Sequence, residues 1–116
     1  MRLPEWIQRY VSIPYEERNC WELVQAIYAA EFGLDIGEKD QWPQQVKDKA
    51  WFEVTTPREG DVVLFKTTEN AKHVGIVLGV NGYMIHTQRG SNSCIEAFTT
   101  RLWKNRVLGF YRHVNK

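Results

Sequence analysis

Cysteine is scarce in this chain, with two in 116 residues, and there is no CxxC, no HExxH, no repeat, no low-complexity linker and no long apolar run. Each absence removes a class of function. The apolar runs are only strand-sized, so nothing spans a membrane. The fifteen Lys and Arg are balanced by fourteen Asp and Glu, leaving a net charge of +1. With no basic stripe there is no electrostatic case for nucleic acid as the main partner. The N-terminal run Leu3-Pro4-Glu5-Trp6 passes into charged and polar residues without an apolar h-region, so no secretory signal is visible and synthesis in the cytoplasm is expected. That expectation argues against the one disulfide Cys20 and Cys94 could form. What is present is apolar and aromatic: 43% hydrophobic and 13% aromatic residues, five of them Trp. This composition predicts one packed domain over residues 1–116.

The stretch Asn19-Cys20-Trp21-Glu22-Leu23-Val24 reads as a helix that begins on a cysteine. Asn19 is a good N-cap, and Glu22 stands where it can reach back to the cap's own amide. Cys20 is then the first helical residue, among unpaired N–H groups at the positive end of the helix dipole, where a thiolate is favoured. Leu23, Val24 and Ile27 follow at three, four and seven residues, so Cys20 lies on the buried-facing side. Taken alone it would count as a small buried hydrophobe, the usual role of a free cysteine. The histidines downstream change that.

Spacing predicts a short amphipathic helix over Leu3 to Tyr10, the main helix over Cys20 to Phe32 with Gly33 as its cap, and a third helix over Asp40 to Trp51. After Pro57 the period becomes that of strands. Val62 to Phe65 is apolar on both faces, as in a central strand. His73 to Val80, Tyr83 to Thr87, Cys94 to Phe98 and Val107 to His113 complete an antiparallel meander of about five strands. Helices first and strands after make the class α+β.

Alternation places His73 and His86 on one face of the hairpin, and its register decides whether they meet. A tight Asn81-Gly82 turn sets His86 opposite Val77, ~13 Å along the strand from His73. A wider loop, Gly79 to Gly82, sets His86 opposite Gly75 and diagonal to His73, ~7 to 8 Å between centres, where two rings can touch. The wider loop, or a bulge, is the expectation if the two work together. A cysteine at a helix start, a histidine base and a second histidine to orient it then supply the parts of a thiol hydrolase. Zinc on one Cys and two His is disfavoured, because no fourth ligand is in view. His113 has no partner and is left out.

Four blocks, Asn19-Cys20-Trp21-Glu22-Leu23-Val24, Glu59-Gly60-Asp61-Val62-Val63-Leu64-Phe65, His73-Val74-Gly75-Ile76-Val77-Leu78-Gly79 and Met84-Ile85-His86, resemble the NlpC-type cell-wall peptidases in order and spacing. The resemblance implies a papain-like fold with no cofactor. It also implies Cys20 as nucleophile, His73 as general base, His86 as orienter, and a peptidoglycan stem peptide as substrate, cut at a γ-D-glutamyl to diamino-acid bond. Tyr15, in a Pro-Tyr pair, is similar to the family's substrate-side tyrosine. Asn19 and the Cys20 amide stand where the oxyanion would be held. The Trp after the cysteine and Phe32-Gly33-Leu34 look like the branch found in phage and prophage tail proteins, which implies tail proteins as partners and a virion-associated setting. Two alternatives remain: another thiol amidase or acyltransferase, and a weakly active tail-assembly module.

Overall fold

Helix α1 (Cys20–Phe32) covers the span that its spacing predicts. Both ends are set by local chemistry. The Glu22 amide donates to Asn19 Oδ1 at 2.9 Å and the Asn19 amide donates to Glu22 Oε1 at 2.9 Å, a reciprocal cap worth about 1 kcal/mol. At the other end Gly33 turns left-handed, φ +65, and its N–H donates to the Tyr28 carbonyl. Cys20, Leu23, Val24, Ile27 and Tyr28 are buried. Trp21 is buried too, because its indole N–H donates to the Gly37 carbonyl at 2.8 Å and draws that segment over the helix start.

The computed structural model describes residues 3–67, 72–79 and 82–116. The helix expected over Leu3 to Tyr10 is a 3-10 turn, Glu5–Arg9. The third expected helix is cut short: a 3-10 turn, Lys39–Gln41, leads into α2 (Trp42–Lys47), and Lys49 turns left-handed at φ +63. Trp51–Val54 is instead strand β1. Pairing with the far end of the chain decides this: Trp51 sits opposite His113 and the Val114 amide donates to the Ala50 carbonyl at 2.9 Å. A thin helical pattern yields to a partner sixty residues away that buries Trp51 to 1% exposure.

The other strands are β2 (Val62–Lys66), β3 (Lys72–Val77), β4 (Tyr83–His86), β5 (Cys94–Ala97) and β6 (Val107–His113). The α+β class is as expected, with six strands among the described residues rather than about five. Their order is β1-β6-β2-β3-β4-β5, antiparallel throughout. β2 to β5 form a meander, and β6 returns to lie between β1 and β2. As its two apolar faces require, β2 is interior. Val62 and Leu64 join the core under α1, while Val63 and Phe65 face a second core with Val77, Met84, Phe98 and Trp103. No helix among the described residues is long and apolar enough to cross a membrane.

Two polar anchors hold the ends of this frame. Asp61, fully buried, accepts from the Arg58 amide at 2.7 Å and from Arg112 Nε and Nη2 at 2.9 and 2.8 Å. It locks the start of β2 to β6, which makes the Gly60-Asp61 block structural. Ser93 ties the segment after the first turn to the start of β5, with its hydroxyl accepting from the Ile13 amide at 2.8 Å and its own amide donating to the Ile13 carbonyl at 2.8 Å. That tie fixes the position of Tyr15.

Candidate active site

The hairpin takes the wider register. Ile76 pairs with Ile85 and Val77 with Met84, and the Leu78 amide donates to the Tyr83 carbonyl at 2.9 Å, so His86 falls opposite Gly75. Val80 and Asn81, at the tip of the expected loop, lie outside the described residues. A Cβ on Gly75 would stand 3.2 Å from the Cβ of His86 and 3.1 Å from the Ile85 carbonyl oxygen. Glycine therefore lets β3 and β4 close at this point.

His73 Nε2 and His86 Nδ1 are 2.7 Å apart, and His86 Nε2 is 2.7 Å from Glu96 Oε1. Proton positions follow from the outer end of the chain. A carboxylate only accepts, so His86 carries its proton on Nε2 and presents a lone pair at Nδ1. His73 must then donate through Nε2. Its Nδ1 is left as the basic nitrogen. Both rings are buried against Trp103, which stacks on His73 at 5.3 Å and 23° and meets His86 edge-on at 5.2 Å. The indole keeps water away from the bond between them. Burial, with the facing His86 and Lys39, pushes the His73 imidazole down to about 3, so the resting ring is neutral. Burial also lowers His86, against the opposing pull of Glu96.

Cys20 and His73 line one cleft of about 460 Å³, together with Tyr15, Lys39, Lys72, Thr87 and Arg89. α1 delivers the thiol and β3 delivers the imidazole. Asn19 is occupied as the helix cap, its Oδ1 taking the Glu22 amide and its carbonyl the Leu23 amide. The Cys20 and Trp21 amides lie outside that pattern, at the positive helix end. Tyr15 lines the same cleft, with the Arg89 guanidinium 5.9 Å from its ring centre. Lys39 is held at the rim by a 3.1 Å bond from its Nζ to the Lys72 carbonyl. His113 stays apart, packed edge-on against Trp51 at 5.0 Å. Cys20 and Cys94 are both free thiols.

The sequence pattern of the NlpC/P60 family matches residues 9–112, which takes in every residue of this site. The chain belongs to the NlpC/P60 family. Among its NlpC/P60 relatives, the murein DD-endopeptidase MepS/murein LD-carboxypeptidase of Escherichia coli K12 is 31% identical over 88 residues, 76% of this chain and 45% of the relative. The protein of the same name from E. coli O157:H7 matches to the same extent. The chain thus spans less than half the length of these relatives. A crystal structure of an NLP/P60-family protein similar to lipoprotein, from Staphylococcus aureus Mu50, superposes with a TM-score of 0.64 at 23% identity. It covers 83% of this chain and 32% of that one, a likeness of fold.

Two residues of this candidate site escape a reading by motif. Glu96 was legible in principle, since alternation along Cys94-Ile95-Glu96 sends Cys94 and Glu96 to one face. The β4–β5 register, Met84 opposite Glu96 and His86 opposite Cys94, sets that carboxylate diagonal to His86. Trp103 lies in the irregular stretch before β6 and carries no local signal.

Proposed function

We propose that this chain is a cysteine peptidase that hydrolyses amide bonds of peptidoglycan stem peptides. The reading is carried by the 2.7 Å contact between His73 and His86 in a cleft that also holds a cysteine at the start of a capped helix. Membership of the NlpC/P60 family and the murein-directed names of the E. coli relatives support the substrate class. In the first step the Cys20 thiol passes its proton to His73 Nδ1 and the sulfur adds to the amide carbonyl. The Cys20 amide, at the positive helix end, donates to the developing oxyanion. His73, now an imidazolium steadied through Nε2 by His86 and Glu96, protonates the leaving amine. It then takes a proton from the water that releases the acyl group.

The preferred bond is γ-D-glutamyl to diamino acid. A γ-linked glutamate keeps its α-carboxyl free, and the described lining offers Lys39, Lys72 and Arg89 but no carboxylate. The tail-associated setting is supported by Trp21 and the Phe32-Gly33-Leu34 ending of α1. Digestion of purified peptidoglycan with mass analysis of the products tests the reading. Fragments cut after γ-D-glutamate, absent with Cys20→Ala, are expected. No fragment at all from a folded wild-type chain overturns it in favour of an assembly module.

A further inference from the structure

β5 is an edge strand, and on the face it shares with His86 it presents two side chains that the proposed reaction does not use in the same way. Cys94 takes no part in it. Yet the ligand atoms of His86, Cys94 and Glu96 all lie within 4.8 Å of one another. The three arrive by register: Cys94 is directly across from His86, and Glu96 is two residues along the same face. Imidazole nitrogen, thiol sulfur and carboxylate oxygen form the donor set that suits zinc, and thiolate plus carboxylate would balance its two charges.

We propose that His86, Cys94 and Glu96 form an inhibitory site for zinc, or a similar borderline divalent cation, with water as the fourth ligand. Around tetrahedral zinc the ligand atoms stand about 3.3 to 3.7 Å apart. The 2.7 Å His86–Glu96 bond must therefore open by roughly 0.6 Å to reach that spacing. Glu96 can yield, because its side chain is 33% exposed. Cys94 is exposed on the same edge, which gives the ion a way in. His86 Nε2 is the nitrogen available, since Nδ1 faces His73.

Binding there reverses the proton order of the pair, and this part rests on the peptidase reading above. A neutral imidazole that gives Nε2 to a metal carries its proton on Nδ1. His86 then donates to His73 Nε2, and His73 carries its own proton on Nδ1, toward the cleft. The Nε2 proton of His86 leaves, one is taken up at His73 Nδ1, and the Cys94 thiol releases one as it binds. The base that would accept the Cys20 proton is filled.

Cobalt is the probe, because a thiolate ligand gives Co²⁺ a charge-transfer band in the near ultraviolet. The folded Cys20→Ala chain is expected to show that band at one Co²⁺ per chain, displaced by Zn²⁺, and the Cys20→Ala/Cys94→Ser chain is expected to lack it. No band from Cys20→Ala overturns the site. In the peptidoglycan assay, wild type should lose turnover to Zn²⁺, while Cys94→Ser should need at least tenfold more for the same loss. Equal sensitivity overturns the inhibition. Cys94→Ala stands in if the serine variant does not fold. The absorbance measurement requires no turnover, so failure of the metal site and failure of the peptidase reading are told apart.

Discussion

Replacing Glu96 by alanine removes the group that fixes the proton on His86 Nε2 and touches neither His73 nor Cys20. Hydrogen bonds to a charged partner contribute about 1.5 to 3 kcal/mol. In the resting site the loss is partly offset, because Glu96 is 33% exposed and water can take its place. When His73 becomes an imidazolium the carboxylate matters more, since positive charge then sits one ring away. At about 1.4 kcal/mol per tenfold, the expected outcome is a fall in kcat of about 10- to 100-fold with KM little changed. Glu96→Gln, whose carbonyl oxygen can still accept from Nε2, should recover part of it. The assay is initial-rate release of soluble peptide from peptidoglycan in the presence of EDTA, with thermal unfolding run in parallel. A Glu96→Ala chain of normal stability whose turnover stays within about twofold of wild type would refute the proton-order argument.

Iodoacetamide should alkylate Cys20 faster than Cys94 near neutral pH, because Cys20 stands at a helix start while partial burial of the sulfur and the nearby Glu96 push the otherwise exposed Cys94 thiol up; equal rates across pH would remove the case for a nucleophile. Asp61→Ala strands Arg112 and the Arg58 amide and should cost about 3 to 5 kcal/mol, which lowers the thermal midpoint by more than about 10 °C; a midpoint near wild type would show that the pair does not hold β2 to β6. His73, held down to about 3 in the fold, takes its proton near 6.5 once unfolded. Its contribution to stability is therefore complete above about pH 6.5 and is lost as pH falls toward 3. With EDTA present, His73→Asn should flatten the decline of the midpoint between about pH 6.5 and 4; an equally steep decline would contradict the burial of a neutral ring. His73→Ala should abolish turnover while His86→Asn keeps some, since an amide can still hydrogen-bond the imidazole; wild-type turnover from His73→Ala would remove the base.

How much of this could be read in advance varies with how local the cause is. α1 was legible to the residue, because Asn19, Glu22 and Gly33 act within one turn of its ends. Strand β1 was hidden behind Trp42, Val46 and Ala50, whose helical spacing runs into Trp51. Only the pairing with β6 near the other end of the chain overrules it. The histidines were legible conditionally: period two fixed their shared face, while their meeting depended on a loop length that the Asn81-Gly82 pair, a good tight-turn signal, argued against. Glu96 required the β4–β5 register, and Trp103 required the whole second core, since nothing in its own neighbourhood says which ring it will cover.

Gly75 sets a mechanical limit on this site. With Ile85 O and Met84 Sδ each 3.1 Å from where a Cβ would be, and the Cβ of His86 at 3.2 Å, one methyl group acts as a wedge between the two strands that carry the imidazoles. The 2.7 Å bond between His73 and His86 sits at the short end of the ordinary range of about 2.7 to 3.2 Å, so a shift of a few tenths of an ångström changes it. A single added carbon, without charge, polarity or a titrating proton, therefore presses on the two strands that carry the imidazoles, and Gly75→Ala is expected to lengthen the bond between the rings. The spacing of the two rings is kept by a vacancy, and the reach of the chemistry is bounded by the thickness of a hydrogen atom.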